Sequence, residues 1–322
     1  MSNKLIVSVS PHVMTSYGTR KIMLNVLIAL IPAVTASTVI FGIRALAVIL
    51  ISAVSAVVFE HLWCLVTKKK TTITDFSAVI TGVLLAMTLP VSVPLYIPVL
   101  GSFFAIIIAK CLFGGIGNNF INPALSGRAF LLASYGVKMT TWTRPVLFGT
   151  EIDALTTATP LSILKGAGEI PNSYIDLFLG NMAGSLGETS AVALLIGFIY
   201  LLIRKIVTPH ATLSFILTVG VFGYIFGQNG FFTGDFLISI LTGGVFLGGI
   251  FMLTDYTTSP TTRKGNIVAG ILAGIITIFI RIKGGLPEGV CYSILIVNIL
   301  APQIDKFFHP RKYGKSSIVR DR

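Results

Sequence analysis

Charge is what this chain has least of. Only 11% of its 322 residues are charged, and 12 of those are acidic. A domain dissolved in water carries about a quarter charged residues, and at this length its surface needs them as polar cover. A cytosolic enzyme is excluded on that count, as are a disordered tail and a collagen-like chain. Cysteine is equally sparse. Cys64, Cys111 and Cys291 stand singly inside apolar runs with no C-x-x-C pair. That spacing supports neither a disulfide scaffold nor an iron–sulfur cluster held by this chain alone. The four histidines (His12, His61, His210 and His309) have no paired spacing, so zinc and haem lack ligands and no metal is expected.

What remains is apolar. Hydrophobic residues make up 54% of the chain and the mean hydropathy is +0.88. Ten apolar segments can be drawn, at 22–43, 45–66, 74–90, 94–112, 122–135, 186–203, 210–227, 234–254, 266–281 and 289–304. Most approach the roughly 20 residues that cross a bilayer as a helix. The fifth is short and carries Arg128. The expected class is therefore an all-α integral membrane protein with about ten transmembrane helices. Residues 1–21 are mixed and mostly polar, so no cleavable signal is expected there.

The net charge of +12 and a pI of 9.8 would fit a nucleic-acid binder in a soluble protein. In a membrane protein, basic cytoplasmic loops explain the same excess, and no nucleic acid is expected. With the N-terminus inside, sixteen basic residues fall on the cytoplasmic side, among them Lys68, Lys69, Lys70, Arg204, Arg263 and Lys264, against six opposite, Arg281 among them. The sequence thus predicts a multi-pass protein of the cell inner (cytoplasmic) membrane with both termini in the cytoplasm.

One long hydrophilic connection, residues 136–187, splits the chain into a first transmembrane half (22–135) and a second (188–304), with a basic tail at 305–322. The halves rhyme. Asp75-Phe76 with Thr81-Gly82 matches Asp235-Phe236 with Thr242-Gly243, and Gly114-Gly115 matches Gly284-Gly285. Five segments per half set the copies in opposite orientation, which predicts two inverted five-helix repeats.

Three stretches offer chemistry. The run from Gly114 to Arg128 combines glycines, which let a ligand approach the backbone, with Asn118, Asn119 and Asn122, which give and accept hydrogen bonds without charge. On a helix, Asn119 and Asn122 would share a face able to read a heterocycle rich in carbonyl and imide groups. The same residues also suit a tight turn with asparagine caps. Asp255 closes segment eight among hydroxyls, where it would attract a cation or pair with Arg263 or Lys264. Glu60, Lys110 and Arg128 lie inside apolar segments, and either a buried pair or an ion path would satisfy them. In the long connection, Asp153-Ala154-Leu155-Thr156-Thr157-Ala158-Thr159-Pro160 reads by itself as a threonine-rich turn.

Taken together these motifs resemble a known family across essentially the whole chain. Ser10-Pro11-His12, Ala29-Leu30-Ile31-Pro32-Ala33, Asn122-Pro123-Ala124 with Gly127-Arg128-Ala129-Phe130, Phe251-Met252-Leu253-Thr254-Asp255 and Gly284-Gly285-Leu286-Pro287-Glu288-Gly289 are similar to the RnfD component of the Rnf complex. That complex is an ion-translocating ferredoxin:NAD oxidoreductase. The NqrB component of the Na⁺-translocating NADH:quinone reductase is more distantly similar. The resemblance implies an electron-carrying membrane subunit with no complete activity of its own. It implies FMN joined through its phosphate to Thr159 by a flavin transferase, within a motif made of Asp153, Thr156, Ala158 and Thr159. Thr157 stands where a smaller residue is frequent. It further implies a noncovalent riboflavin near Asn119 and Asn122, cation uptake linked to Asp255, and other membrane and peripheral subunits as partners. Glu60 is a second candidate for the ion path. The alternative is a channel or solute transporter built on the same inverted repeat.

Overall fold

The computed structural model describes residues 18–69, 71–143, 145, 157–166, 173–188, 190–227, 230–285 and 288–308. Asp153 and Thr156 lie outside the described residues. The first two segments are single long helices, α1 (Thr19–Phe41) and α2 (Ile43–Val66), joined at Gly42. Both are apolar all round. Residues facing the interior, such as Ala29, Leu30 and Val48, are buried, while Ile31, Leu50 and Val54 are exposed. Water would not tolerate so many outward leucines, isoleucines and valines. Lipid does, and the helix keeps its own backbone groups paired there.

Segment three is shorter than the sequence predicts. Its helix, α3 (Ser77–Met87), begins after a single 3₁₀ turn at Ile73–Asp75. Segment four starts as α4 (Tyr96–Phe103) and widens into a π-helical stretch at Phe104–Cys111, and segment five is α5 (Pro123–Ser134). Among its described residues the long connection holds three short helices: α6 (Gly136–Met139), α7 (Pro160–Lys165) and α8 (Tyr174–Leu179). Its last part does not continue smoothly into segment six. Leu186 and Gly187 donate backbone hydrogen bonds to Leu89 and Met87, so residues 182–188 tuck against the end of α3. Met182, Ser185 and Leu186 are buried there. Segment six then runs as α9 (Ala191–Ile203) and segment seven as α10 (Pro209–Ile225), which ends in a two-residue hairpin of β1 (Phe226–Gly227) and β2 (Gly230–Phe231).

Segment eight is broken, contrary to the continuous run at 234–254 that hydropathy predicts. Asp235 accepts hydrogen bonds from the Leu237 and Ile238 N–H groups and starts α11 (Phe236–Leu241). The chain then turns through Gly243 and Gly244, whose φ angles of 70° and 71° favour glycine. It resumes as α12 (Val245–Leu247) and a second π-helical stretch at Gly248–Met252. Segments nine and ten are α13 (Arg263–Lys283) and α14 (Val290–Phe307). Among the described residues, four helices (α1, α2, α13 and α14) are long and apolar enough to cross a membrane; α3, α4 with its π-helical extension, α9 and α10 are shorter apolar helices.

The helices pack in a matching pattern within each half. α2 lies against α3 and α4, and α10 lies against α11 and α13. Between halves, α1 meets α9 and α5 meets α14. The α10–α13 contact is close because α13 presents small residues: a Cβ added to Gly270 would collide with Ser214 Oγ, and one at Gly274 would lie 2.7 Å from Thr218. With no hydrophobic drive between helices in lipid, such small-residue contact supplies the packing.

Lys68, Lys69, Arg204 and Arg263 mark one end of the bundle, the basic end; α7 and α8 lie toward the other. A cysteine at Lys165, at the end of α7, is expected to react with an impermeant thiol reagent added to whole cells. One at Lys69 is expected to react only after permeabilisation. Reaction of both in intact cells would overturn the ten-segment topology.

Candidate functional site

The polar residues inside this apolar body gather in three places. The first is a cleft of about 770 Å³, part of it open to the exterior, toward the basic end. Asn119, Asn122 and Asp255 all line it, together with Ser77, Lys110 and Thr257. Of the two readings the sequence offered for Asn119 and Asn122, a shared helix face or a turn with asparagine caps, the structure takes the second. Asn119 sits in the turn before α5, and Asn122 is the N-cap of α5, with Oδ1 accepting from the Ala124 and Leu125 N–H groups. Asn-Pro dictates this locally: the asparagine oxygen caps and Pro123 fills the first helical position without a wasted donor. Asn122 Nδ2 donates to the Met252 carbonyl at 3.3 Å, tying α5 to the second π-helical stretch. Asn119 Nδ2 donates to Thr257 Oγ1 at 3.1 Å, whereas its Oδ1 is buried and has no partner.

Asp255 does not pair with Arg263 or Lys264, which the sequence offered as partners. Its Oδ2 accepts from the Thr257 hydroxyl at 3.0 Å, with Thr258 at 3.4 Å, and no cation lies within ion-pair distance among the described residues. Arg263 instead opens α13 and lies on the surface. Glu60 is a neighbour of the cleft. Lys110 Nζ donates to both Glu60 oxygens at 3.0 Å and to Ser77 Oγ at 2.7 Å, which uses all three ammonium donors. Thr72 adds a 2.5 Å hydrogen bond to Glu60. Glu60 is thus held in a buried pair with Lys110.

The second place is a charged cluster that the sequence only half disclosed. Arg128 of α5 is buried between Glu188 and Glu288: its Nη1 donates to Glu188 Oε1 at 3.0 Å and its Nη2 to Glu288 Oε2. Glu188 reaches it because residues 182–188 tuck inward, and Glu288 because it precedes α14. A cavity with room for about one water adjoins the cluster, lined also by Thr88, Gly243, Gly244 and Cys291. The third place, sharing Glu188, Gly243 and Glu288 with the second, holds Thr159. Thr159 has the extended backbone that Pro160 demands (φ −69°, ψ 155°) and caps α7 by accepting from the Ser162 N–H. The hydroxyl also donates to Ser162 Oγ at 3.1 Å. Thr159 is only 5% exposed, and Ala158 beside it is exposed. The backbone at Thr159 is thus extended, but the residue itself is closed off from outside.

Helices packed for lipid around polar cavities and a buried charged cluster define a membrane-embedded helical protein. Among the described residues, no group of three His, Cys, Asp or Glu side chains is placed to hold a metal. The chain matches the NQR2, RnfD, RnfE family over residues 6–314, and it belongs to that family. It is 45% identical to the RnfD-type component of the Na⁺-translocating ferredoxin:NAD⁺ oxidoreductase complex of Acetobacterium woodii, with 98% of each chain covered. It is also 45% identical to the corresponding component of the proton-translocating ferredoxin:NAD⁺ oxidoreductase complex of Clostridium ljungdahlii, covering 97% of each. The corresponding component of the ion-translocating oxidoreductase complex of Salmonella paratyphi A is 35% identical, over 95% of this chain and 97% of its own.

Proposed function

We propose that this chain is the electron-carrying membrane subunit of an ion-translocating ferredoxin:NAD oxidoreductase complex. The observation that carries the reading is likeness over nearly the full length to RnfD-type components of such complexes. Catalytic sites for ferredoxin and NAD then belong to partner subunits, which fits a chain with no dinucleotide-binding fingerprint. The protein lies in the cytoplasmic membrane with its basic end and both termini inside. The matched packing of α2 and α10 supports two inverted five-helix halves.

The cleft at the basic end suits riboflavin. A buried, unpartnered Asn119 Oδ1 wants an N–H donor, which a ring imide supplies, and the Thr254 and Thr257 hydroxyls line the same cleft. At the outer end, Thr159 is the residue for the FMN phosphoester, added by a flavin transferase to the motif that includes Asp153, Thr156 and Ala158. A bound flavin supplies one- and two-electron exchange. The protein's share is to fix position, keep water out of the apolar body and set the field around each ring. Asp255, which lines the cleft with hydroxyl and backbone N–H partners and no ion-pair partner among the described residues, is our candidate for cation uptake; Glu60 is engaged by Lys110. Identity is 45% to both the sodium- and the proton-translocating relatives, so likeness alone assigns neither ion.

The same two-half architecture also suits a solute transporter, and colour separates the readings. The purified chain should be yellow, with one flavin released by acid and one retained on the denatured polypeptide. Asn119→Leu removes an acceptor that no protein group uses and one hydrogen bond to Thr257, a cost of about 1 kcal/mol, so the protein should still fold while acid-released riboflavin falls severalfold. A colourless chain would leave the transporter reading.

A further inference from the structure

Beside α7 lies a cavity that neither flavin assignment uses, with about 180 Å³ of room inside it and the rest of its space open to the exterior. Its walls include Leu161, Leu164, Phe226, Ile238 and Ile278, which are apolar, the polar Thr233, Ser239 and Asp235, and one cation, Arg281 near the end of α13. Arg281 is 6% exposed. Its Nη1 donates to the Ser239 carbonyl at 2.8 Å and its Nη2 to the Thr242 carbonyl at 2.9 Å, closing the end of α11. A guanidinium has five N–H groups, and Nε is buried with no acceptor. No carboxylate lies within ion-pair distance among the described residues. Asp235, the one carboxylate on the cavity wall among the described residues, is taken up by the α11 cap and by the Tyr174 hydroxyl at 2.5 Å.

A buried cation with unused donors costs folding free energy unless something else pairs with it. The arrangement of apolar walls and one unsatisfied guanidinium describes a site for a flat apolar body with an acceptor-rich edge. Leu161 connects the site to Thr159. It lines both the Thr159 cavity and this one, and its Cδ1 lies against Gly243 alongside Arg281 Nη2. The Thr159 cavity itself has room for about one water, far too little for a three-ring heterocycle.

We infer that the isoalloxazine ring tethered at Thr159 docks in this cavity, across Leu161, with Arg281 facing its acceptor edge. The inference rests on the reading of Thr159 as the flavin attachment residue. Arg281 then serves as a positioning and field-setting residue. Its charge favours the ring when negative charge accumulates on it, and so holds the flavin potential higher than a solvent-exposed ring would have. The acceptor edge, in turn, satisfies donors that the protein leaves open.

The test uses the assembled complex with two variants. Arg281→Lys keeps the charge but loses the planar fork, and Leu164→Trp fills the cavity without touching the guanidinium. Flavin fluorescence of the denatured band is read first, because it reports the tether alone. With that band intact, iodide quenching of the native flavin should rise severalfold in Leu164→Trp, and the midpoint potential should fall in both variants. A fluorescent band with quenching and potential at wild-type values in both variants overturns the docking site and leaves the Thr159 reading standing. A wild-type band without flavin overturns the tether. Phospholipid then retained by the wild-type protein and lost from Leu164→Trp would assign the cavity to a lipid headgroup and overturn the inference.

Discussion

Replacing Thr159 by Val should abolish flavin fluorescence of the denatured polypeptide completely while the protein still folds. Valine keeps the shape and the extended backbone that Pro160 requires, but it has no oxygen to esterify. The cost to the fold is the lost cap of α7, about 1 kcal/mol by analogy with other N-caps. Thr157 is the rival, since its hydroxyl is buried and unpartnered. Peptide mass separates the two: FMN found on Thr157 or Thr156 would shift the motif, and FMN on no threonine in the connection would end the redox reading of this end of the molecule.

The second large effect should come from Arg128. Replacing it with Met strands Glu188 and Glu288 together with their shared cation gone. Breaking a buried pair in this way costs about 3–5 kcal/mol. The expected result is a chain that is poorly recovered from membranes and melts many degrees lower in detergent. The triple variant Arg128→Met, Glu188→Gln, Glu288→Gln removes the charges as a set and should regain most of that loss. A single Arg128→Met with wild-type melting would show that the cluster holds the fold less than its burial implies. The pair of results also separates a structural role from a functional one. A triple variant that folds normally but loses electron transfer across the protein would place the cluster's charge in the working of the complex.

The membrane class is legible because hydropathy integrates over whole segments, and the outward leucines and valines of α1 and α2 are what that signal measures. The break in segment eight is not. Thr242, Gly243 and Gly244 are neutral and small, so the apolar window runs through them unchanged, although the backbone there needs positive φ at both glycines. Asn122 and Pro123 carry a readable signature of a helix start, and the structure uses it so, which removes the helical face expected for Asn119 and Asn122. The cleft that brings Asn119, Asn122 and Asp255 together needs α5 set against the second π-helical stretch, a contact that no local pattern encodes. Arg128 stands out in the sequence as a charge out of place. Its partners do not, because Glu188 and Glu288 lie at segment edges, where an acid looks ordinary, and only the inward tuck of residues 182–188 makes one of them special. Arg281 reads in sequence as an outer basic residue, although it is buried and closes the end of α11.

The burial of Thr159 has a bearing on how the protein is made. In the finished fold the residue is 5% exposed and its hydroxyl is engaged with Ser162, in a cavity that Glu188 and Glu288 also line. A transferase cannot modify an atom it cannot touch. If Thr159 is the attachment residue, the modifying enzyme must arrive while the connection is still undocked, or wait for the short α7 to peel away. Maturation is then a race between two clocks: the closing of the outer segment onto the bundle, and the encounter with the enzyme. Chains that close first would accumulate as a cofactor-free population. The flavin content of an overproduced batch would then report synthesis rate and transferase supply, and slowing expression should raise it without any change in sequence.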